Sequence, residues 1–290
     1  MPSPTYSKIA IAGVGHIGKP IAEALLSANL DVKILSRTSA AKPGLEAAKV
    51  VAIDYNDASG LAAALDGVEV VISTLGGGAA LDGDQIQLAD AAKRAGVRLF
   101  VPSDFSTDMD LIPRDDAGRL PAFWRGKGVA YDHLERIGLP YLRIVNNAFG
   151  DYLYSPFIGF DFDRRTVQVV GDLDRRLVVS AERDVGAFLA HVLTTLPAEQ
   201  LENRALRLQS FKTTWRHAIQ AAERARGIEL RVENVSIADA KAKADDKDTD
   251  PFTAAAYIVR WAIAAGAGDF EVDNDAVGFK PSVTSLEQLL

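Results

Sequence analysis

One strand–glycine–helix unit near the amino end limits what this chain can fold into more than any other feature. Residues 8–12 (KIAIA) are an apolar run typical of a buried strand, and residues 13–18 (GVGHIG) follow with the pattern G-x-G-x-x-G. Apolar residues then recur at helical spacing through Ile21, Ala24, Leu25 and Ala28. The pattern therefore lies between a strand and a helix, which is the context that makes it informative.

A dinucleotide explains why glycines stand at these positions. Gly13 permits a tight turn, Gly15 lets the backbone approach a pyrophosphate, and Gly18 lets the helix pack closely on the strand. The backbone amides near His16 and Ile17 open the helix and would face the phosphates. The alternative is a glycine turn that binds no ligand.

The rest of the first half alternates strands with helices. Strands are predicted at 32–35, 50–53, 68–73, 98–101 and 141–145, with helices at 59–65, 85–95 and 128–137. This order predicts an α/β fold with a Rossmann doubly wound parallel sheet over residues 1–150. Residues 151–290 are less regular, and we expect a smaller C-terminal α+β substrate-binding region, partly interwoven with the sheet. Residues 238–250 are charged and rich in alanine, which indicates an exposed, weakly packed segment that can close over the substrate.

The end of the second strand indicates which dinucleotide binds. NAD-preferring sites usually carry an acidic residue there, whereas this chain has Arg37, flanked by Ser36 and Thr38. A guanidinium suits the 2′-phosphate of NADPH because it donates to two oxygens, although a solvated surface arginine is the alternative. The fourth strand ends at Thr74-Leu75-Gly76, followed by Gly77 and Gly78. We expect the backbone of this loop to run close to the cofactor; the alternative is a flexible loop that binds nothing.

Composition excludes several other classes of protein. The net charge of −7, with mixed signs along the chain, argues against a nucleic-acid binder. There are no cysteines, and the four histidines lack ligand spacing, so no metal site is predicted. No apolar run is long enough for a membrane span, and a cytoplasmic monomer or homodimer is expected.

The pair Phe123 and Lys127 bears on catalysis. Short-chain dehydrogenases generally place Tyr-x-x-x-Lys here, but the tyrosine position is Phe123, which cannot transfer a proton. Lys127 remains, and a lysine beside a nicotinamide can hold the ribose hydroxyls or act as an acid. The alternative is an ordinary surface lysine at the start of a helix.

Three spaced segments resemble the isoflavone reductase-like group of the NmrA-like atypical short-chain dehydrogenases. They are Pro102-Ser103-Asp104-Phe105 with Asp108 and Asp110, Lys127 thirteen residues before Pro140, and Asn147-Ala148-Phe149 with Tyr152. The chain departs from the group at Ala12, Asp104 and Ser106, where the group has glycine, glutamate and glycine.

This resemblance implies a Rossmann fold, NADPH and hydride transfer to a conjugated or benzylic centre, with Lys127 as the catalytic lysine. Ser103, Asn147 and Phe149 are expected at the cofactor. Phe105, His133, Tyr152, Tyr154 and Phe157 are expected at the substrate, although aromatic side chains of this kind are often plain core.

Two functions remain open from the sequence. The first is an NADPH-dependent reductase of a small aromatic or conjugated molecule. The second is a non-catalytic NADP(H) sensor that binds a protein partner, since such regulators occur in the same wider group and some retain the lysine.

Overall fold

A parallel β-sheet organises the first half of the computed structural model, which describes residues 5–76 and 83–290. Its strands are β1 (Lys8–Ala12), β2 (Asp31–Ser36), β3 (Lys49–Ala52), β4 (Val70–Ser73) and β5 (Leu99–Val101). Helices α1 (Gly18–Ser27), α2 (Ala58–Ala64) and α3 (Gln85–Arg94) lie between them. The strand order is β3-β2-β1-β4-β5 and each pairing is parallel, which confirms the predicted doubly wound α/β fold.

Burial on both faces of the sheet explains the apolar character of β1. Ile9 and Ile11 belong to one hydrophobic cluster, and Ala10 and Ala12 belong to another on the opposite face. Successive side chains of a strand point to opposite faces, so a strand covered on both sides needs apolar residues throughout. The KIAIA run therefore lies in the middle of the protein.

The later elements follow β5 in chain order. The strands are β6 (Leu142–Val145), β7 (Ala148–Phe149), β8 (Phe160–Asp161), β9 (Thr166–Val170), β10 (Arg176–Ser180), β11 (Arg204–Arg207), β12 (Phe211–Thr214) and β13 (Arg231–Val235). The helices are α4 (Ala122–Ile137), α5 (Glu182–Thr195), α6 (Trp215–Arg226), α7 (Ile237–Asp245) and α8 (Pro251–Ala262). Across the two described ranges, no helix is both long and apolar enough to cross a bilayer.

Elements from beyond residue 150 pack on the first half. A parallel bridge between Phe100 and Tyr141 joins the start of β6 to the edge strand β5, and β11 pairs in parallel with β6. The other strands form two small sheets, in the orders β12-β10-β7 and β13-β9-β8. The domain boundary at residue 150 stays a prediction. Strand β11 lies beyond that boundary in the chain and pairs with β6, which lies before it, so the two parts are interwoven there.

Helix α4 begins at Ala122, six residues before the predicted start at 128, so that boundary was wrong. Gly126 and Gly128 weaken the helical signal in the sequence, because glycine disfavours helix interiors. Tertiary packing overrides this preference, since Trp124 in the first turn is only 1% exposed. Phe123 and Lys127 therefore lie one turn apart on the same helix.

The segment after 150 contains strands that the sequence did not reveal. β8 and β9 pair antiparallel within the part of the chain described from the sequence as less regular. Residues 237–245 form helix α7, which is capped by the Ser236 hydroxyl, so the first part of the predicted segment 238–250 is helical. The side chains of this segment are mostly exposed, as expected, although Ala240 is buried. That the segment closes over a substrate stays a prediction.

Helices α1 and α5 approach so closely that only glycine fits at one point between them. A Cβ on Gly186 would lie 2.5 Å from the carbonyl oxygen of Pro20 and 3.1 Å from the Cα of Ile21. Both are backbone atoms, which cannot rotate away. The carboxyl-terminal half is thus fitted tightly against the helix that follows the glycine loop.

We expect Gly186→Ala to lower the free energy of unfolding by about 1–3 kcal/mol, because overpacking forces the two helices apart. Gly128→Ala is the matched control within a helix, since its Cβ would meet only Leu120 Cδ1 at 3.8 Å. That variant should be neutral or stabilising by up to about 1 kcal/mol. Urea unfolding measures both, and equal effects would contradict the close approach.

Candidate functional site

The glycine loop, residues 13–18, lies at the carboxyl ends of the central strands, and each glycine has a distinct steric reason. Gly13 has a φ of +90°, which suits only a residue without a side chain. A Cβ on Gly18 would lie 2.5 Å from Thr74 Oγ1 and 2.6 Å from the Gly13 oxygen, whereas one on Gly15 would meet nothing within 4 Å. The loop therefore combines a turn, a packing contact and an open space of the kind that a diphosphate needs.

Thr74 holds this loop in place. Its hydroxyl lies 2.8 Å from the Gly13 carbonyl oxygen and 3.1 Å from that of Ala12, and it can donate to either. The hydroxyl of Ser103 likewise donates to the carbonyl of Leu75 at 2.8 Å. These two predicted cofactor residues thus support the carboxyl ends of β1, β4 and β5. Gly76 is exposed, while Gly77 and Gly78 lie outside the described residues.

The end of β2 presents Arg37 to solvent. Ser36 is half-buried, and Arg37 and Thr38 are exposed immediately after it. Across residues 5–76 and 83–290, no carboxylate lies within ion-pair distance of Arg37. Burial and Asp84 raise the pKa of the neighbouring Tyr55 to about 12, while Arg37 opposes the rise. The guanidinium is therefore available at the edge where an adenosine ribose would lie.

A cavity of about 230 Å³ lies beside β7 and the start of α4. Apolar side chains dominate its wall, and Lys127 is its one cationic lining residue among those described. The lining residues are Phe105, Ser106, Thr107, Phe123, Trp124, Lys127, Asn147, Ala148, Phe149, Tyr152, Phe157, Ile158, Val259 and Ile263. The cavity is thus lined by three predicted cofactor or catalytic residues, Lys127, Asn147 and Phe149, and by three predicted substrate residues, Phe105, Tyr152 and Phe157.

Lys127 is a largely buried side chain, 13% exposed. Its ammonium donates to the backbone carbonyls of Ser103, at 3.3 Å, and of Asp104. Burial lowers the pKa of Lys127 and the nearby Asp104 carboxylate opposes that change. Two of the three ammonium donors are occupied by these carbonyls, so one is left for a group in the cavity.

The backbone bends unusually at two points of the cavity wall. Phe105 has a φ of +28° and Asn147 a φ of +52°, values that side-chain-bearing residues rarely adopt. Asn147 is held by its own side chain, whose Nδ2 donates to the Val178 oxygen at 2.7 Å and whose Oδ1 accepts from Thr107. Such conformations persist only where the surroundings impose them, and they are frequent at functional sites.

Tyr152 connects the cavity with the glycine loop. Its hydroxyl contacts Nδ1 of His16, and the two rings meet edge to face with centroids 5.2 Å apart. Burial, with Glu182 and Asp151, raises the pKa of Tyr152. His16 is exposed, whereas Ile17 packs against the core. The cavity and the loop are therefore adjacent parts of one site.

Two predicted substrate residues lie elsewhere. His133 is buried on the side of α4 that faces α3, where Nε2 is 2.7 Å from Asp90 Oδ1. Tyr154 packs edge to face on Phe160, and its hydroxyl donates to the Ala218 carbonyl. The structure does not bring either side chain to the cavity. Phe105, Tyr152 and Phe157 do line it, as the sequence predicted.

The sequence did not indicate the wall contributed by α8. Val259 and Ile263 line the cavity and belong to the apolar stretch at 254–264. The periodicity of that stretch indicates a buried helix but does not show which of its side chains face a cavity. Trp124 was missed because the start of α4 was placed too late. Asp104 was noted only as a departure from the related group, and no local signal shows that its carboxylate faces Lys127.

The NmrA-like family model matches residues 5–268 of this chain. An isoflavone reductase homolog of Arabidopsis thaliana is 27% identical over 73% of this chain and 74% of its own. An oxidoreductase of Botryotinia fuckeliana is 31% identical, with 76% of each chain covered. Among solved structures, the complex of leucoanthocyanidin reductase with NADPH from Vitis vinifera superposes with a TM-score of 0.76, at 22% identity, over 92% of this chain and 90% of that one.

We expect Asn147→Ala to lower the free energy of unfolding by about 2–4 kcal/mol. It removes the Asn147 hydrogen bonds and places alanine in a left-handed conformation. Asn147→Gly loses the same hydrogen bonds but tolerates the conformation, so it should cost about 1 kcal/mol less. Denaturant unfolding of the two variants separates strain from hydrogen bonding, and a glycine variant no more stable than the alanine variant would argue against strain.

Proposed function

This chain belongs to the NmrA-like family, and from that premise we propose that it is an NADPH-dependent reductase of a small aromatic or conjugated molecule, with Lys127 as its proton donor. The relatives named above are called reductases or oxidoreductases, which supports hydride-transfer chemistry. The substrate and the role of each residue are our proposal.

The observation that carries the proposal is a single buried cation in the wall of an apolar cavity next to the glycine loop. The other polar side chains of the wall are engaged with the protein. Thr107 bonds to Asn147 and to the Ala267 carbonyl, and the Ser106 hydroxyl donates to Asp104. A substrate would therefore meet mostly apolar surface and one ammonium, which suits an aromatic molecule with an oxygen near its reacting carbon.

The residues at the loop fit NADPH. The open space above Gly15, the turn at Gly13 and the start of α1 without a side-chain cap suit a diphosphate. Arg37, with Ser36 and Thr38, would hold the 2′-phosphate. Leu75, Gly76 and Ser103 stand at the adjacent strand ends, and Phe149 stands in the cavity wall where a nicotinamide would meet the substrate. When bound, NADPH supplies the hydride.

In this scheme the protein's own contribution is the proton. A hydride added to a conjugated carbon drives an electron pair onto the substrate oxygen, which then takes a proton from the ammonium of Lys127. The neutral lysine regains a proton from solvent, so the net reaction consumes one NADPH and one proton. Phe123 lines the same cavity and has no proton to give. Burial lowers the pKa of Lys127, which makes its proton easier to release.

A substrate panel tests this function directly. The purified protein is mixed with NADPH and with aromatic ketones, enones and quinones, and the loss of NADPH absorbance is followed. Turnover with a panel member supports the reductase. Tight dinucleotide binding without turnover of any member would instead favour the NADP(H)-sensing regulator.

Cofactor choice provides one quantitative prediction. The protein should bind NADPH about ten- to a hundredfold more tightly than NADH, because a charge-assisted contact with phosphate contributes about 1.5–3 kcal/mol. Arg37→Ala should lose most of this preference while its NADH affinity stays unchanged, which serves as the internal control. Titration by fluorescence or calorimetry measures both, and equal affinities in the unaltered protein would refute the role of Arg37.

Replacement of Lys127 by alanine should reduce turnover by roughly a hundred- to ten-thousandfold, the usual contribution of a positioned acid. NADPH affinity should fall much less, because the glycine loop and Arg37 hold the phosphates. In the unaltered protein, turnover should decline as pH rises through the lowered pKa of Lys127, since only the ammonium can donate. The control is Lys49→Ala, an exposed lysine at the amino end of β3, away from the glycine loop and the cavity. Near-normal turnover in Lys127→Ala would remove the lysine from the mechanism.

A further inference from the structure

Behind Lys127, charges of alternating sign run from the cavity toward the surface. Lys127 Nζ lies 3.8 Å from Asp104 Oδ1, and Asp104 Oδ2 lies 3.6 Å from Arg143 Nε. Arg143 in turn lies 3.6 Å from Asp108 and 3.2 Å from the exposed Asp110. Within residues 5–76 and 83–290, Asp104 supplies the one carboxylate within 4 Å of the Lys127 ammonium.

We propose that Asp104 and Arg143 are a positioning pair for Lys127: Asp104 holds the ammonium through both its carbonyl and its carboxylate, and Arg143 fixes that carboxylate. This inference rests on the proposed function in one respect, because it takes Lys127 to be the proton donor of the reduction. Neither residue lines the cavity itself, so both act on it through Lys127.

The geometry of Asp104 supports this role. Its side chain is fully buried, and Oδ1 accepts a hydrogen bond from the Ser106 hydroxyl at 2.9 Å. Oδ2 has no hydrogen-bond donor among the described residues and faces Arg143. A buried carboxylate is costly unless opposite charges compensate it, and here cations stand on both sides.

The local backbone also turns toward the lysine. Asp104 N donates to the Pro102 oxygen at 2.7 Å, and Phe105 follows with its unusual φ of +28°. This tight turn directs the carbonyls of Ser103 and Asp104 at Nζ. The strained backbone and the carboxylate therefore converge on one atom.

The groups that face Lys127 define how it should titrate. Tyr131 lies one turn further along α4, Asp104 follows β5, and Arg143 comes from β6; the cavity side contributes no other charged residue among those described. The Arg143 guanidinium lies 4.9 Å from the centroid of the Tyr131 ring. Burial and Asp104 raise the pKa of Tyr131, so it stays neutral. Asp104 therefore favours the charged lysine, and Arg143 acts on the lysine through the Asp104 carboxylate.

Asp104→Asn tests the pair, because it removes the charge at nearly constant size and keeps an acceptor for Ser106. The protein is labelled with ¹³C at the lysine Cε, the Lys127 signal is assigned by its loss in Lys127→Arg, and its pKa is read from an NMR titration. We expect the pKa of Lys127 to fall by about 1–3 units, the usual effect of one adjacent opposite charge. Asp104→Glu should restore most of the shift. An unchanged titration in Asp104→Asn would overturn the proposal.

Two further variants keep the test decisive. Asp132→Asn removes an exposed carboxylate from the same helix and should leave the Lys127 titration unchanged. Arg143→Gln removes the cation that holds the Asp104 carboxylate, so it should lower the pKa of Lys127 in the same direction as Asp104→Asn but by a smaller amount. This second variant decides the matter if Asp104→Asn does not fold, and an unchanged or raised pKa in it would contradict the pair.

The pH dependence of turnover separates this proposal from the proposed function. In an active reductase, the alkaline limb of kcat/KM should move to lower pH in Asp104→Asn by the same amount as the NMR titration. A shifted titration in a protein that reduces no panel member would support the positioning pair and refute the reductase. A limb that stays in place while the titration shifts would refute the pair's part in proton transfer.

Discussion

The position of the whole site depends on the contact between β1 and β4 at the glycine loop. The Thr74 hydroxyl bonds to loop carbonyls, and the absence of a Cβ on Gly18 lets α1 start directly against that hydroxyl. A side chain at Gly18 would push the start of α1 away from Thr74 and so displace the glycine loop that lies beside the cavity. The close approach of α5 at Gly186 then fits the later part of the chain to the same helix. Close contacts between uncharged groups therefore hold the glycine loop, α1 and α5 together.

Several parts of this architecture were predictable from the residues, and others were not. The strands of the sheet appear as apolar runs because both faces are buried, and the glycine loop is recognisable because sterics permit little else there. The start of α4 was not predictable, since Gly126 and Gly128 lower local propensity while the core contact of Trp124 lies far away in sequence. β8 and β9 are short strands whose pairing is decided by tertiary context.

The candidate site shows a similar division. Residue types indicated the place of Lys127 and of the aromatic wall, but not which polar side chains face inward. Thr74, Ser103 and Asn147 stay predicted cofactor residues, and the sequence did not show that their side chains also bond to protein carbonyls and, for Asn147, to Thr107. His133 and Tyr154 illustrate the same limit, because a helical or irregular segment does not reveal its orientation. Such facts require the three-dimensional packing of elements that are distant in sequence.

The presence of phenylalanine at 123 has consequences for the surrounding charges. A tyrosine hydroxyl is neutral and can donate a proton from a half-exposed position, and Phe123 is 42% exposed. Lys127 lies one turn further along the helix and is largely buried, and a buried ammonium is stable only beside a compensating group. Asp104 provides that compensation, but its own burial then requires a second cation, which Arg143 supplies from β6. Arg143 reaches solvent through Asp110, where water can screen the last charge. The proposed use of lysine as the proton donor thus accounts for a line of charges that extends from the cavity to the surface.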